Sequence, residues 1–203
     1  MLNPLLVEVP VCIETRRLLL RAPRAGDGPA LHEALVESLP ELRRFLWFLS
    51  WVAEEQTLDS AEIRCRRAQA NFFARTDLPF WVIDKATGKL VGSAGLHRTD
   101  WSIPKTEVGY WIRTSCRGNG YVAEAVDALV KLALEQLGAR RIELITDEEN
   151  TSSRKVAERC QFELEGVLRN ERLGPEGRLR NTCIYARLPA AASQETVESP
   201  RRT

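Results

Sequence analysis

The residues with the clearest chemical capacity lie in Cys116–Ala125, which reads CRGNGYVAEA. Gly118, Gly120 and Arg117 join an alternating apolar stretch to one with a helical period. Glycine permits backbone conformations and close approaches that a side chain blocks. Successive N–H groups ahead of a helix N-terminus then form a cradle for a pyrophosphate, with Arg117 adding charge. Two other readings compete. A plain strand-to-helix loop also uses glycine. Gly118, Gly120 and Ala123 also satisfy G-x-G-x-x-A, the dinucleotide fingerprint, with acidic Asp147, Glu148 and Glu149 about twenty residues past the loop. In that fingerprint, however, the first glycine ends the first parallel strand of its domain. Here a strand-rich region precedes the loop, and several residues separate it from Trp111 and Ile112. The dinucleotide reading is therefore demoted, though it stays open. A Walker loop is excluded, because the sequence contains no G-K-[ST].

Other reactive side chains are sparse. The five cysteines, Cys12, Cys65, Cys116, Cys160 and Cys183, are widely spaced and form no C-x-x-C pair. This pattern points to a reducing compartment rather than a disulfide framework. Cys116 borders the helix start, where a thiol is activated, but an acyl-cysteine mechanism needs a partner base and none is evident beside it. The two histidines, His32 and His97, give no zinc-type cluster and no metal site. His97 is a candidate base on a hairpin, although a lone histidine is more often structural.

These residues need a scaffold, and the composition bounds it. The 203 residues, 44% hydrophobic and 28% charged, suit one globular domain with a substantial core. A net charge of +1 provides no field for nucleic acid or a membrane surface. No apolar run approaches a membrane span, and no signal peptide is visible, so a cytoplasmic enzyme is the simplest reading. The pattern predicts an N-terminal arm over residues 1–11, a domain over 12–189 and a disordered tail over 190–203, where Val197 is the one large aliphatic residue.

Within the domain, Ile13–Ala22 reads as a strand, and Asp27 as a helix N-cap. Helices follow at Pro29–Ser38, Pro40–Val52 and Asp59–Arg75, the last with capping-box spacing between Asp59 and Glu62. Phe80–Asp84 and Leu90–His97 make a hairpin around Thr87-Gly88, and Thr106–Arg113 is the next strand. Gly120–Leu137 is the best amphipathic helix, closed by Gly138. Arg141–Thr146 is a strand, Thr151–Cys160 a helix, and Phe162–Arg169 and Leu179–Leu188 the final strands. Hairpin strands followed by alternating units imply an α/β (α+β) domain with a mixed sheet.

Thr106–Phe162 resembles the core of the Gcn5-related N-acetyltransferase (GNAT) superfamily, and within it the branch of ribosomal-protein alanine and serine N-terminal acetyltransferases. Arg117, Gly120 and Val122 fall on the acetyl-CoA motif [QR]-x-x-G-x-[GA], with valine replacing the last small residue. The flanking VGYWI and AEA are typical of the branch, and Asn150 and Ser153 supply its N-x-x-S. The element order matches along about 175 residues. The resemblance implies a largely antiparallel mixed sheet flanked by helices, splayed to hold acetyl-CoA as cosubstrate. It assigns the cosubstrate to Arg117, Gly118, Asn119, Gly120, Tyr121, Val122, Asn150 and Ser153. The acceptor would be a primary amine, first of all the α-amine of a protein N-terminus; alternatives are a small-molecule amine such as an antibiotic or polyamine, or a non-catalytic acyl-CoA-binding module. A homodimer is compatible with this reading.

Acetyl transfer needs a neutral amine, donors for the tetrahedral oxyanion and a proton or hydrogen bond for the leaving thiolate. By resemblance Glu107 is the leading base, weighed evenly against a plain ion pair with an arginine. Glu171 is the runner-up, since its register differs by one residue and a one-residue slip reverses the strand face. A backbone N–H in Val108–Ile112 would serve the oxyanion. The family's tyrosine position holds Ala157, so Ser153 is the candidate thiolate donor, with helix capping as its competing role. The family's glycine before Phe162 is Gln161. In such enzymes the early helices border the acceptor, so Phe45, Trp47 and Trp51 would line it, although core packing or a dimer face is the favoured reading of that aromatic run.

Overall fold

The computed structural model describes residues 3–189. The tail predicted to be disordered lies outside them. Eight strands form one sheet in the order β1-β2-β3-β4-β5-β6-β8-β7. They are β1 (Cys12–Glu14), β2 (Leu18–Arg21), β3 (Leu78–Asp84), β4 (Leu90–Asp100), β5 (Lys105–Ile112), β6 (Arg141–Asp147), β7 (Glu163–Leu173) and β8 (Leu179–Arg187). Every neighbouring pair is antiparallel except β5 with β6. The helices are α1 (Gly28–Leu46), α2 (Ser50–Ala53), α3 (Leu58–Ala74), α4 (Tyr121–Lys131) and α5 (Thr151–Arg159).

Two packing units cover the sheet. On one face α4 and α5 bury Val126, Leu129 and Ala157 against Leu96, Val108 and Leu144. On the other, α1 and α3 bury Leu31, Leu35 and Cys65 with Trp81 and Trp111. Alternate residues of β5 point to opposite faces, so Val108 joins the first unit and Trp111 the second.

Several local expectations are corrected. Ile13–Ala22 is two strands, because Thr15 turns the chain by accepting the Leu18 N–H on its hydroxyl. Helices predicted on either side of Leu39 are one helix, α1, which runs through Pro40. Proline removes one N–H bond, and Pro40 and Val36 both lie on the exposed side, where water reaches the freed carbonyl. The capping box on α3 is Thr57 with Ser60, not Asp59 with Glu62. The Glu62 carboxylate instead accepts the backbone N–H groups of Gly26 and Gly28. Asp27 makes no side-chain cap and holds Arg21 at 2.8 Å. The long helix ends at Lys131 and continues as one π turn, Leu132–Gln136.

The acidic run that kept the dinucleotide reading open is occupied by structural pairs. Asp147 and Arg180 are both buried, with Nε 3.2 Å from Oδ2 but off the N–H axis, a charge contact rather than a hydrogen bond. Arg180 also donates to Glu149 and to the Arg44 carbonyl, tying β8 to β6 and α1. Glu148 accepts from Asn181. Removing one partner of a buried pair strands the other charge, so Asp147→Ala should cost about 3 kcal/mol of stability, measured as a lowered urea midpoint.

Candidate active site

The strands β5 and β6 pair at only three positions, Lys105↔Arg141, Thr106↔Ile142 and Glu107↔Glu143. Past that point β5 stays on β4 as far as Ile112↔Gly92, and β6 stays on β8 as far as Asp147↔Thr182. A wedge therefore opens in mid-sheet. Arg113 donates its N–H to the Val91 carbonyl, so the alternation of the ladder turns the N–H groups of Tyr110 and Ile112 away from β4 and into the wedge. They are fixed donors of the kind an oxyanion requires. The wedge opens into a cavity of about 1100 Å³, bordered by Tyr110 and Ile112 on one strand and Leu144 and Ile145 on the other.

The glycine loop lies at one end of this cavity. Gly118 and Gly120 have φ of +79° and +74°, a region that penalises any residue with a Cβ. Gly120 is the N-cap of α4 and offers no side-chain acceptor, so the first-turn N–H groups remain free for an anion. Arg17, far away in sequence, braces the loop. It donates to the Asn119 carbonyl, stacks on Tyr121 and pairs with Glu124 at 2.7 Å. Burial alone would raise the Glu124 carboxyl, but hydrogen bonds from Thr15 and Arg17 hold it below its ordinary range. Asn119 closes the turn onto the carbonyls of Cys116 and Arg117. Arg117 itself pairs with Glu41 of α1. Arg117 and Val122 line the cavity, whereas Cys116 packs against the core and does not.

At the cavity's inner wall Asn150 caps α5, accepting the Ser153 N–H at 3.1 Å. The cap role weighed for Ser153 thus belongs to Asn150, and the Ser153 hydroxyl is left for another partner. That partner is Tyr110, whose phenol lies 2.7 Å from Ser153 Oγ. Burial raises the Tyr110 phenol above its ordinary value, with the Ser153 bond opposing, so it stays protonated. Sequence reasoning missed this tyrosine. Ala157 is fully buried at the expected tyrosine position, and the hydroxyl arrives from β5 instead.

The opposite side, under α1–α3, is more polar. Glu107 lines the cavity, but Arg98 takes both of its oxygens. Arg98 reaches it from a bulge between His97 and Asp100, at a φ of +50°. His97 pairs with Asp77 at 2.7 Å. Trp51 and Trp111 stand 6.4 Å apart, and Arg64 sits over the Trp51 ring at 3.7 Å, where burial brings its guanidinium down to about 10. Phe45 and Trp51 line the cavity; Trp47 packs edge-on against Phe48 instead. Glu171 is outside the cavity, within a β7 bulge that lays its carboxylate on the Thr182 hydroxyl, and this bond lowers its pKa. Among the described residues no group of His, Cys, Asp and Glu could hold a metal.

A mixed sheet wedged open beside a glycine-capped helix is the frame of a group-transfer enzyme. Residues 17–163 match the acetyltransferase (GNAT) domain family, and the chain belongs to it. It is an acetyl-CoA-dependent N-acetyltransferase. It is 27% identical over 177 residues to the uncharacterized N-acetyltransferase p20 of Bacillus licheniformis, covering 86% of this chain and 94% of that one. Its fold is similar to the microcin C7 self-immunity acetyltransferase MccE solved with acetyl-CoA and AMP, with TM-score 0.80, 19% identity and coverage of 89% and 98%. It is likewise similar to RimL, the ribosomal L7/L12 alpha-N-protein acetyltransferase solved with coenzyme A, with TM-score 0.78, 20% identity and coverage of 89% and 97%.

Acetyl-CoA fits the residues present, because the uncapped α4 N-terminus and the two left-handed glycines leave N–H groups unclaimed. Gly120→Asp places a carboxylate and a Cβ at that cradle, beside Arg17 and Arg159. Acetyl-CoA binding should be lost in calorimetry while the far-UV spectrum is retained.

Proposed function

We propose that this enzyme acetylates a primary amine, with the α-amine of a protein N-terminus as its preferred acceptor. The observation that carries the reading is the wedge itself, which separates two chemically different compartments. On the α4–α5 side are the loop Arg117–Val122, Asn150 and the Tyr110–Ser153 hydroxyl pair. On the α1–α3 side the lining is mixed in charge, with carboxylates Asp77, Glu107, Glu54 and Glu55 beside Arg64, Arg67, Arg98 and His97. The thioester carbonyl lies in the wedge with the Tyr110 N–H on its oxygen. The Tyr110–Ser153 pair donates to the departing sulfur. The fold shared with RimL, an alpha-N-protein acetyltransferase, favours a peptide terminus.

One observation favours a second acceptor class. The aromatic group of Trp51 and Trp111, 6.4 Å apart and tilted by 46°, lies in the cavity wall, and MccE was solved with a nucleotide. A panel of N-terminal peptides, lysine peptides, polyamines and amino-nucleosides, each assayed for CoA release, separates the classes. The reading expects the highest kcat/KM with an N-terminal peptide; a ring-bearing small amine ahead of every peptide would reverse the choice.

A second test concerns the leaving group. Ser153→Ala and Tyr110→Phe should each lower kcat about 10- to 100-fold with little change in the acetyl-CoA KM. Unchanged kcat in both variants would leave the hydroxyl pair a purely structural contact.

A further inference from the structure

His97 stands directly across the β4–β5 ladder from Glu107. Both side chains therefore rise from the face under α1 and α3, where the acceptor compartment lies. The imidazole has a slot built for it. Gly95 and Gly109 are cross-strand neighbours, and the ring lies over their bare backbone. A Cβ at Gly95 would come within 2.9 Å of Nε2 and Cε1, and one at Gly109 within 2.8 Å of Cδ2. Gly109 is also the residue before Tyr110, whose N–H faces the wedge. The ring is thus laid from the last β5–β6 pair toward the place where the thioester carbonyl sits.

The hydrogen-bond network fixes the tautomer. Nδ1 is 2.7 Å from Asp77 Oδ1. A carboxylate only accepts, so Nδ1 carries the hydrogen, and in the neutral ring the lone pair is on Nε2. Nε2 has no hydrogen-bond partner among the described residues, and the side chain is 30% exposed to the cavity. Glu107 differs in the decisive respect, since the Arg98 guanidinium takes both of its oxygens.

We propose that His97 is the catalytic base that takes the proton from the acceptor amine, and that Asp77 is its positioning residue. This assignment rests on the reading of the wedge as an acetyl-transfer site. The ammonium of the acceptor gives one proton to His97 Nε2, and Asp77 offsets the imidazolium charge. The freed amine lone pair forms the C–N bond to the thioester carbon. As the intermediate collapses, the C–S bond breaks and the thiolate takes a proton from the Tyr110–Ser153 hydroxyls, which water restores. The surplus proton on nitrogen passes to solvent, as does the one on His97. Glu107 with Arg98 walls the compartment and sets its charge. The charged groups that line the cavity with His97 on this side are Asp77, Glu107, Arg98, Glu54, Glu55, Arg64 and Arg67.

The experiment compares His97→Gln, His97→Ala, Asp77→Asn, Asp77→Glu and Glu107→Gln with the wild-type enzyme, on the best acceptor found. Acetyl-CoA binding by calorimetry shows that each variant is folded. His97→Gln should lose about 100-fold or more in kcat near neutral pH, with acetyl-CoA affinity unchanged. Added imidazole should restore part of the rate in His97→Ala and none in Glu107→Gln. Asp77→Asn should lower kcat with the acetyl-CoA KM unchanged, and Asp77→Glu should restore part of the loss. Folded His97→Gln with wild-type kcat from acid to alkaline pH, or a larger loss in Glu107→Gln without imidazole rescue of His97→Ala, would overturn the assignment. A wild-type chain that acetylates no amine in the panel would instead remove the acetyl-transfer reading beneath it.

Discussion

Parting β5 from β6 leaves main-chain donors and acceptors without partners in the middle of a sheet, where they are ordinarily paired. Each strand compensates by staying fully laddered on its outer neighbour, β5 on β4 and β6 on β8. The wedge is thus bounded by two rigid half-sheets joined at three residue pairs. The helices are packed accordingly. α4 and α5 close one face of the gap, and α1 and α3 roof the other. Without that division, the cleft would collapse into an ordinary ladder and no extended cosubstrate could be held.

The polar contacts repeat this logic. The loop after β5 is pinned to α1 through Thr114 on Ser38, Ser115 on Glu37 and Arg113 on Glu33. Ser115's hydrogen bonds, with nearby Arg113, hold the Glu37 carboxyl below its ordinary range, so this clamp is charged at neutral pH. The β1–β2 turn grips α4 through Glu124. The far end of β6 is held by Arg180. The elements around the wedge are therefore anchored by contacts outside it, and the free N–H groups inside it need not serve the fold.

Much of the scaffold was legible because it rests on local chemistry. The alternation in Leu90–His97, the helical period after Gly120 and the left-handed glycines Gly118 and Gly120 are properties of short windows. The turn ahead of α4 and the Asn150 cap were legible for the same reason. What escaped depends on contacts distant in sequence. Tyr110 reaches Ser153 across 43 positions, and Arg17 reaches Glu124 across 107. The Asp77–His97 contact spans a hairpin, and its value lies in two glycines that look like ordinary strand interruptions. Pro40 misled for the opposite reason: a strong local breaker was overridden by the buried face of α1, carried by Leu35, Ser38 and Leu42. Gln161 is a similar override, holding a left-handed turn where the family places glycine.

The two hydrophobic clusters have a consequence for how such an enzyme can change. The unit containing Leu31, Leu35, Cys65, Trp81 and Trp111 is assembled mainly from the N-terminal half of the chain. The unit packed under α4 and α5 draws most of its helical packing from the C-terminal half. They meet along the central strands β3, β4 and β5, where Phe80, Val91 and Val108 serve one and Trp81, Leu90 and Trp111 the other. A change of recognised amine can therefore accumulate in the first unit as a series of repackings that leave the donor machinery undisturbed. The fold behaves as a fixed handle with an exchangeable jaw, and the three central strands are the rivet.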